Sequence, residues 1–160
     1  MRASGLVVLA VLLAGCGGGA SSKHELTVKM NVVKDGKQVI ALVPVTIDGK
    51  GPYTFALDTG ASQSLVDAQV ATKLGVPKTG NHPKIAGISS VEKLATVRVR
   101  HWKVGEIELP PTTIVAGNLP FGNAKGGVQG LLGSDMLSRF DVITIDYAHE
   151  VLRLHPRDAG

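Results

Sequence analysis

Apolar residues along most of the chain occur in short runs that turn residues interrupt, a pattern typical of a mainly β protein. Residues 24–34 and 38–48 are rich in Val, Ile, Leu and Thr, and Asp35 with Gly36 between them predicts a hairpin turn. Further strands are predicted over residues 53–57, 64–66, 84–115, 128–132, 140–146 and 150–155, with residues 94–104 alternating as one strand. Many short strands with regular turns favour a closed or partly closed β-barrel.

Two short segments carry helix signals. Asp67 precedes Val70 and Leu74, which share a helix face, and Gly75 follows them, so the spacing predicts a helix over residues 67–74 with Asp67 as its N-cap. Residues 134–139 predict a second short helix capped by Ser134. Asp135 is interpreted as an acid in its first turn, where the helix dipole favours negative charge.

The first residues of the chain have a different pattern. Arg2 is followed by an uncharged apolar run over residues 5–15, whereas a membrane-spanning helix needs about 20 such residues. A basic start, a short apolar run and small residues are typical of a signal peptide. The run ends in Leu13-Ala14-Gly15-Cys16, which resembles the lipobox of bacterial lipoproteins, where the cysteine carries a diacylglycerol and becomes the new N-terminus.

This resemblance implies three parts. Residues 1–15 would be the signal peptide, and residues 16–23 would be the lipidated Cys16 and a flexible tether rich in glycine and serine. Residues 24–160 would be the folded domain, lipid-anchored on the periplasmic or extracellular face of the bacterial cell envelope. The alternative is a plain secretory signal in which Cys16 happens to fall.

Composition and charge narrow the classes of function. A chain of 160 residues predicts one domain, and its single cysteine excludes an intramolecular disulfide. The net charge of +4 does not indicate a nucleic-acid-binding protein, so no nucleic-acid partner is predicted. The five histidines show no metal-ligand spacing and no phosphate-binding loop is present, so neither a metal nor a cofactor is predicted.

The strongest chemical signal is the segment Asp58-Thr59-Gly60-Ala61-Ser62, which follows the apolar run Phe55-Ala56-Leu57. It resembles the active-site loop of aspartic peptidases. Leu131-Leu132-Gly133, before the second predicted helix, resembles the hydrophobic-hydrophobic-glycine element that packs beside that loop in a ψ-shaped arrangement. The resemblance covers residues 38–155 and points to retropepsin-like, that is retroviral-type, peptidases of bacteria, with Asp58 as the catalytic residue.

Hydrolysis of a peptide without a metal needs an activated water molecule and a proton donor. Two facing carboxylates that share one proton supply both, because like charges so close cannot both ionise. The chain has a single Asp-Thr-Gly, and Asp135, Asp141 and Asp146 are not followed by Thr-Gly or Ser-Gly. The second carboxylate is therefore predicted to come from a second copy in a twofold homodimer.

The other residues of the loop are expected to support Asp58. Gly60 lacks a Cβ and permits a tight turn, and the resemblance implies that the Thr59 hydroxyl bonds across to the partner loop. Ala61 replaces a serine of pepsin-like members whose hydroxyl would bond a catalytic carboxylate, which predicts a milder pH optimum than that of a gastric-type enzyme. Ser62 completes the small-residue loop.

A mobile flap over the substrate is predicted within residues 84–91, around Ile85, Ala86, Gly87 and Ile88. An ordinary surface hairpin is the alternative for this segment. Together these features predict a membrane-anchored aspartic endopeptidase that acts on peptide or protein substrates as a homodimer. The alternative is a peptide-binding or structural envelope lipoprotein that keeps the fold without turnover.

Overall fold

The computed structural model describes residues 25–76, 78–79, 94–119 and 127–157. The predicted signal peptide, the tether with Cys16, and the flap residues Ile85, Ala86, Gly87 and Ile88 lie outside these ranges. The signal peptide, the tether and the flap therefore remain predictions from the sequence.

Strands and two short helices make up most of the described part. The strands are β1 (Leu26–Lys29), β2 (Asn31–Asp35), β3 (Gln38–Ile47), β4 (Lys50–Leu57), β5 (Leu65–Asp67), β6 (Lys78–Thr79), β7 (Ala95–Val99), β8 (Trp102–Val104), β9 (Ile107–Leu109), β10 (Thr112–Gly117), β11 (Gly130–Leu132), β12 (Phe140–Asp146) and β13 (Val151–Pro156). The helices are α1 (Ala68–Leu74) and α2 (Ser134–Leu137). Neither of these helices is long and apolar enough to cross a membrane.

The strands form two sheets. The larger sheet has the order β6-β7-β10-β5-β11-β4-β3-β8-β9, and β2 pairs with β3 beside this path. The smaller sheet has the order β1-β13-β12. The larger sheet curls into a half-barrel, so the prediction of a mainly β, partly closed barrel is confirmed. Most pairs are antiparallel, but β11 runs parallel to β4 and β10 runs parallel to β5.

Large apolar side chains from both sheets meet in one core. Phe55 and Trp102 come from the larger sheet, and Leu152 and Leu154 come from β13 of the smaller one; each is at most 2% exposed. Burial of such a side chain stabilises the fold by about 1.5–3 kcal/mol. The indole N–H of Trp102 donates to the Pro110 carbonyl oxygen at 3.0 Å, which satisfies its one polar group.

Several predicted strand boundaries are wrong. Residues 94–104 do not form one strand, because the chain turns between Val99 and Trp102. A continuous strand would place these two residues on opposite faces, yet both are buried in the core. Residues 24–34 are likewise divided between the two sheets at the buried Met30, and β4 begins at Lys50 rather than at Tyr53.

The predicted N-cap of α1 is confirmed, whereas that of α2 is wrong. Asp67 caps α1 as predicted, with its Oδ1 accepting from the Gln69 N–H at 2.9 Å, and Gly75 ends the helix in a left-handed conformation with φ of 69°. The prediction that Ser134 caps α2 is wrong. The N-cap position is Gly133, and no side chain caps this helix.

The turn between β12 and β13 contains a charged group with a lowered pKa. Asp146 accepts a hydrogen bond from the backbone N–H of His149 at 3.0 Å, and its carboxylate contacts the His149 ring at 2.9 Å and Arg153 at 3.8 Å. These contacts, led by the backbone hydrogen bond, hold the pKa of Asp146 below its usual value. The ionised carboxylate therefore stabilises the folded state above the pKa of about 3.9 that a free aspartate has.

We expect Asp146→Asn to lower the free energy of unfolding at pH 6. The difference from wild type should shrink as the pH falls below about 4, because Asp146 then binds a proton first in the unfolded state and only at lower pH in the folded state. Urea unfolding at a series of pH values measures this. Glu106→Gln, on an exposed turn away from this hairpin, is the control. A difference that is constant from pH 6 to pH 2 would contradict the assignment.

Candidate active site

Asp58 lies at the end of β4, where the chain leaves the sheet. Its backbone N–H donates to the Leu132 carbonyl oxygen at 3.1 Å. Its Oδ1 accepts from the Gly60 N–H at 3.0 Å and from the Ala61 N–H at 3.1 Å. The backbone of the loop therefore fixes the position of this half-buried carboxylate, and both hydrogen bonds engage the same oxygen.

The four residues after Asp58 form a tight loop. A Cβ on Gly60 would lie 3.3 Å from the Asp58 Oδ1, a close approach that the missing side chain makes easy. Thr59 and Ser62 are exposed, and Ala61 is half-buried. The predicted cross-loop bond of the Thr59 hydroxyl needs a second copy of the chain.

The structure places Leu131, Leu132 and Gly133 beside the Asp58 loop. Leu132 is the register partner of Leu57 in the parallel β11–β4 pair, and Leu131 also pairs with Leu65 of β5. A Cβ on Gly133 would lie 2.7 Å from the Gln63 carbonyl carbon and 2.9 Å from the Ala61 oxygen. Because both neighbours are backbone atoms, only glycine allows this approach.

Ser134 binds the loop instead of capping its helix. Its backbone N–H and its hydroxyl both donate to the Ala61 carbonyl oxygen, at 2.8 Å and 2.9 Å. These two hydrogen bonds fix Ala61, whose own N–H donates to the Asp58 carboxylate. This competing tertiary contact explains why the local N-cap prediction for Ser134 is wrong.

Ser64 and Asp135 also support the Asp58 loop, through a contact that the sequence analysis did not predict. Ser64 is completely buried, and its N–H and hydroxyl donate to the Asp135 Oδ1 at 2.9 Å and 2.7 Å. The Ser64 oxygen in turn accepts from the Gly133 N–H at 3.0 Å. Asp135 also lies in the first turn of α2, as predicted. Its partner is 71 residues away in sequence, so no local pattern indicates the contact.

Gln129 is a second supporting residue that the sequence analysis missed. Its Oε1 accepts from the Thr54 N–H at 3.0 Å, and its own N–H donates to the Thr54 carbonyl oxygen at 2.7 Å. Its carbonyl oxygen accepts from the Asp67 N–H at 2.9 Å. Gln129 thus links β4 to β5 just before β11 begins.

A row of mostly apolar side chains crosses the face of the sheet on which Asp58 lies. Directly paired residues share a face, and alternate residues of a strand do as well. The row consists of Leu42, Ala56, Leu131, Leu65, Val115 and Thr96. Asp58 follows Ala56 by two residues and so continues this face, whereas Phe55 points to the core on the other. Five members of the row are at most 7% exposed and Leu131 is half-buried, so this chain itself already covers most of the row.

Two cavities of about 390 and 530 Å³ lie elsewhere, and neither is lined by a residue of the Asp58 loop. Within the described ranges, no group of three or more His, Cys, Asp or Glu residues is placed to hold a metal ion.

Comparisons with known proteins identify the family and the fold. The family model described as Aspartyl protease matches residues 43–136, more than half of the chain. A crystal structure of a retropepsin-like aspartic protease from Rickettsia conorii is similar, with a TM-score of 0.53 and 21% identity over 81% of this chain and 89% of that one. This similarity shows the fold.

A second solved structure, the retroviral protease-like domain of Ddi1 from Leishmania major, has a TM-score of 0.49 and 18% identity. It covers 72% of this chain and 87% of that one. No curated protein matches the chain.

We expect Asp135→Ala to destabilise the fold by about 1–3 kcal/mol, because it leaves two donors of the buried Ser64 without their acceptor. Urea unfolding measures this. Asp141→Ala is the matched control, since Asp141 is exposed and its ion pair with Arg157 at 3.5 Å should contribute less than about 1 kcal/mol. Equal losses in the two variants would show that the Asp135–Ser64 contact does not stabilise the loop.

Proposed function

The chain belongs to the aspartyl protease family, and we propose that it is an aspartic endopeptidase in which two copies hold a water molecule between their Asp58 carboxylates. The observation that carries this proposal is the loop itself. One Asp58 oxygen is bonded to the Gly60 and Ala61 N–H groups, and the loop is tied to β11 and α2. A rigidly held carboxylate on an apolar face is what activation of water on a peptide requires.

The homodimer follows from the number of motifs. The sequence has one Asp-Thr-Gly, and the reaction needs two carboxylates that share a proton. A twofold axis that passes between two Asp58 loops supplies the second carboxylate without any further sequence.

The paired carboxylates then have complementary roles. The ionised one takes a proton from water as the water oxygen attacks the scissile carbonyl carbon, and the protonated one gives its proton to the carbonyl oxygen. Collapse of the tetrahedral intermediate breaks the C–N bond, and the leaving nitrogen receives a proton. The products are a carboxylic acid and an amine.

The substrate class follows from the family. An aspartyl protease hydrolyses peptide bonds, so a peptide or protein substrate beside the Asp58 loop is proposed. Specific hydrogen bonds to such a peptide would come from loops and from the flap proposed around Gly87.

The location of the enzyme is proposed from its N-terminal sequence. Residues 1–15 would be removed as a signal peptide, Cys16 would carry the lipid anchor, and the tether to residue 23 would present the domain of residues 24–160 in the bacterial envelope. Two copies confined to one membrane have a raised effective concentration, which favours pairing.

We expect the full chain to cleave peptides, and Asp58→Asn to lower kcat/KM by at least about a hundredfold. Asparagine has the same shape and can still accept from Gly60 and Ala61, so the variant should fold, which urea unfolding checks. Asp141→Asn, on the smaller sheet, is the control. Inhibition by pepstatin, a transition-state mimic, gives a second readout.

Equal activity in Asp58→Asn would exclude Asp58 as the catalytic residue. Absence of cleavage by wild type and variant alike would favour the alternative, a peptide-binding or structural envelope lipoprotein with the same fold.

We expect the rate of wild type to peak at a milder pH than that of a gastric-type enzyme, and Ala61→Ser to move the peak to lower pH. The residue at position 61 contacts the carboxylate through its N–H at 3.1 Å. A hydroxyl added there would favour the ionised form by hydrogen bonding. Profiles of kcat/KM against pH measure this, with Ser62→Ala as the control. A wild-type peak well below about pH 3 would contradict the expectation.

A further inference from the structure

The segment predicted as the tether enters the domain at one end of the smaller sheet. Leu26 of β1 is the register partner of Leu154 on β13. Glu25 therefore lies beside His155, and its Oε2 contacts the His155 Nε2 at 3.3 Å. β12 begins at the same end, because Val142 is the register partner of His155.

This end of the sheet turns one face away from the core. Leu154 is 1% exposed on the core face, whereas the next residue, His155, lies on the other face together with Val142. Val142 is 53% exposed, more than the other large hydrophobic residues that the described ranges expose. The surface is here called the tether end and consists of Glu25, Arg139, Asp141, Val142, His155 and Arg157.

Positive charge exceeds negative charge among the described residues at this surface. Its two acids each have an arginine as ion-pair partner, since Glu25 lies 3.4 Å from Arg153 and Asp141 lies 3.5 Å from Arg157. Arg139, exposed just before β12, is a third arginine at this end. An exposed apolar side chain among surplus cations favours contact with an anionic, partly apolar partner.

The predicted tether is short compared with the domain. Cys16 and Glu25 are nine residues apart, so even a fully extended chain separates them by no more than about 32 Å. A compact domain of this size has a radius of gyration of about 14 Å and is therefore roughly 37 Å across. A membrane that holds Cys16 is reached most easily by the end of the domain at which the tether enters.

We propose that the tether end lies on the surface of the membrane that anchors the chain, with Val142 among the lipid headgroups and Arg139 and Arg157 on anionic phospholipids. The inference rests on the lipid anchor at Cys16 in the proposed function. Basic residues beside a membrane attachment are attracted by the negative potential of an anionic lipid surface.

The proposed contact would also place the Asp58 loop near the membrane, because α2 connects this loop to the tether end. The hydroxyl of Ser134, the first residue of α2, donates to the Ala61 carbonyl oxygen at 2.9 Å. The carbonyl oxygen of Ser138, just after α2, accepts from the Arg157 Nη2 at 2.6 Å. The four steps between the two serines span about 6 Å of helix.

The test measures the distance of two labelled positions from the lipid. The full chain is expressed in bacteria, and the lipid-modified protein is placed in phosphatidylcholine vesicles with or without phosphatidylglycerol. Cys16 is the only cysteine and the lipid blocks its sulfur, so Val142→Cys adds one free thiol for a fluorophore. Lipids with spin-labelled headgroups quench a fluorophore that touches the membrane.

The controls lie at the opposite end of the same sheet. Tyr147→Cys carries the fluorophore at a residue that is 49% exposed, about 16 Å along the sheet from Val142. Arg139→Gln removes a cation from the tether end, and Lys29→Gln removes one from the exposed far end of β1. Urea unfolding establishes that each variant is folded.

We expect stronger quenching at position 142 than at position 147 in vesicles that contain phosphatidylglycerol. Arg139→Gln should lower the ratio of docked to undocked domain by about fivefold, and Lys29→Gln should change it by less than about twofold. Equal quenching at the two positions would overturn the proposal, as would quenching at position 142 that neither phosphatidylglycerol nor Arg139→Gln changes. A label at position 142 that lipid does not quench, but that rising protein concentration shields, would also overturn it and would identify a protein contact.

Mass spectrometry of Cys16 and peptide cleavage distinguish this inference from the proposed function. A chain without lipid on Cys16 contradicts the anchor and this inference together. A lipid-modified chain with equal quenching at the two positions overturns this inference alone. Stronger quenching at position 142 in a chain that cleaves no peptide supports the membrane contact and removes the peptidase.

Discussion

The attachment of the Asp58 loop to β11 and α2 is the constraint on which the candidate site depends. Three contacts make it: the Asp58 N–H on Leu132, the two donors of Ser134 on Ala61, and the buried Ser64 on Asp135. A hydrogen bond to a charged group is stronger than one between neutral groups, and breaking it leaves buried polar atoms unpaired. These contacts therefore hold the loop against β11 and α2.

Two glycines make this attachment possible. A Cβ on Gly130 would lie 2.3 Å from the Phe55 ring, and one on Gly133 would meet the backbone of Gln63. Because both residues lack a side chain, β11 can lie parallel to β4 and place its last residue, Leu132, beside the Asp58 loop. The sheet then has two different faces: one packs the core around Phe55 and Trp102, and the other carries Asp58 beside an apolar row.

The proposed mechanism also limits what one copy can do. It needs two carboxylates that share a proton, and one copy would supply one of them.

Features that depend on neighbouring residues were determined by the sequence itself: a hairpin turn after Asp35, which the structure places at Gly36 and Lys37, and α1 between Asp67 and Gly75. Their hydrogen bonds form within a few residues, so local patterns encode them. The position of Asp58 at the end of an apolar strand was predicted from the pattern and the motif, although that strand pairs with distant β11. Only the tertiary structure decided the role of Ser134, the turn between Val99 and Trp102, and the contact of Asp135 with Ser64. These depend on which distant groups compete for the same donors and for burial, and sequence distance carries no information about that competition.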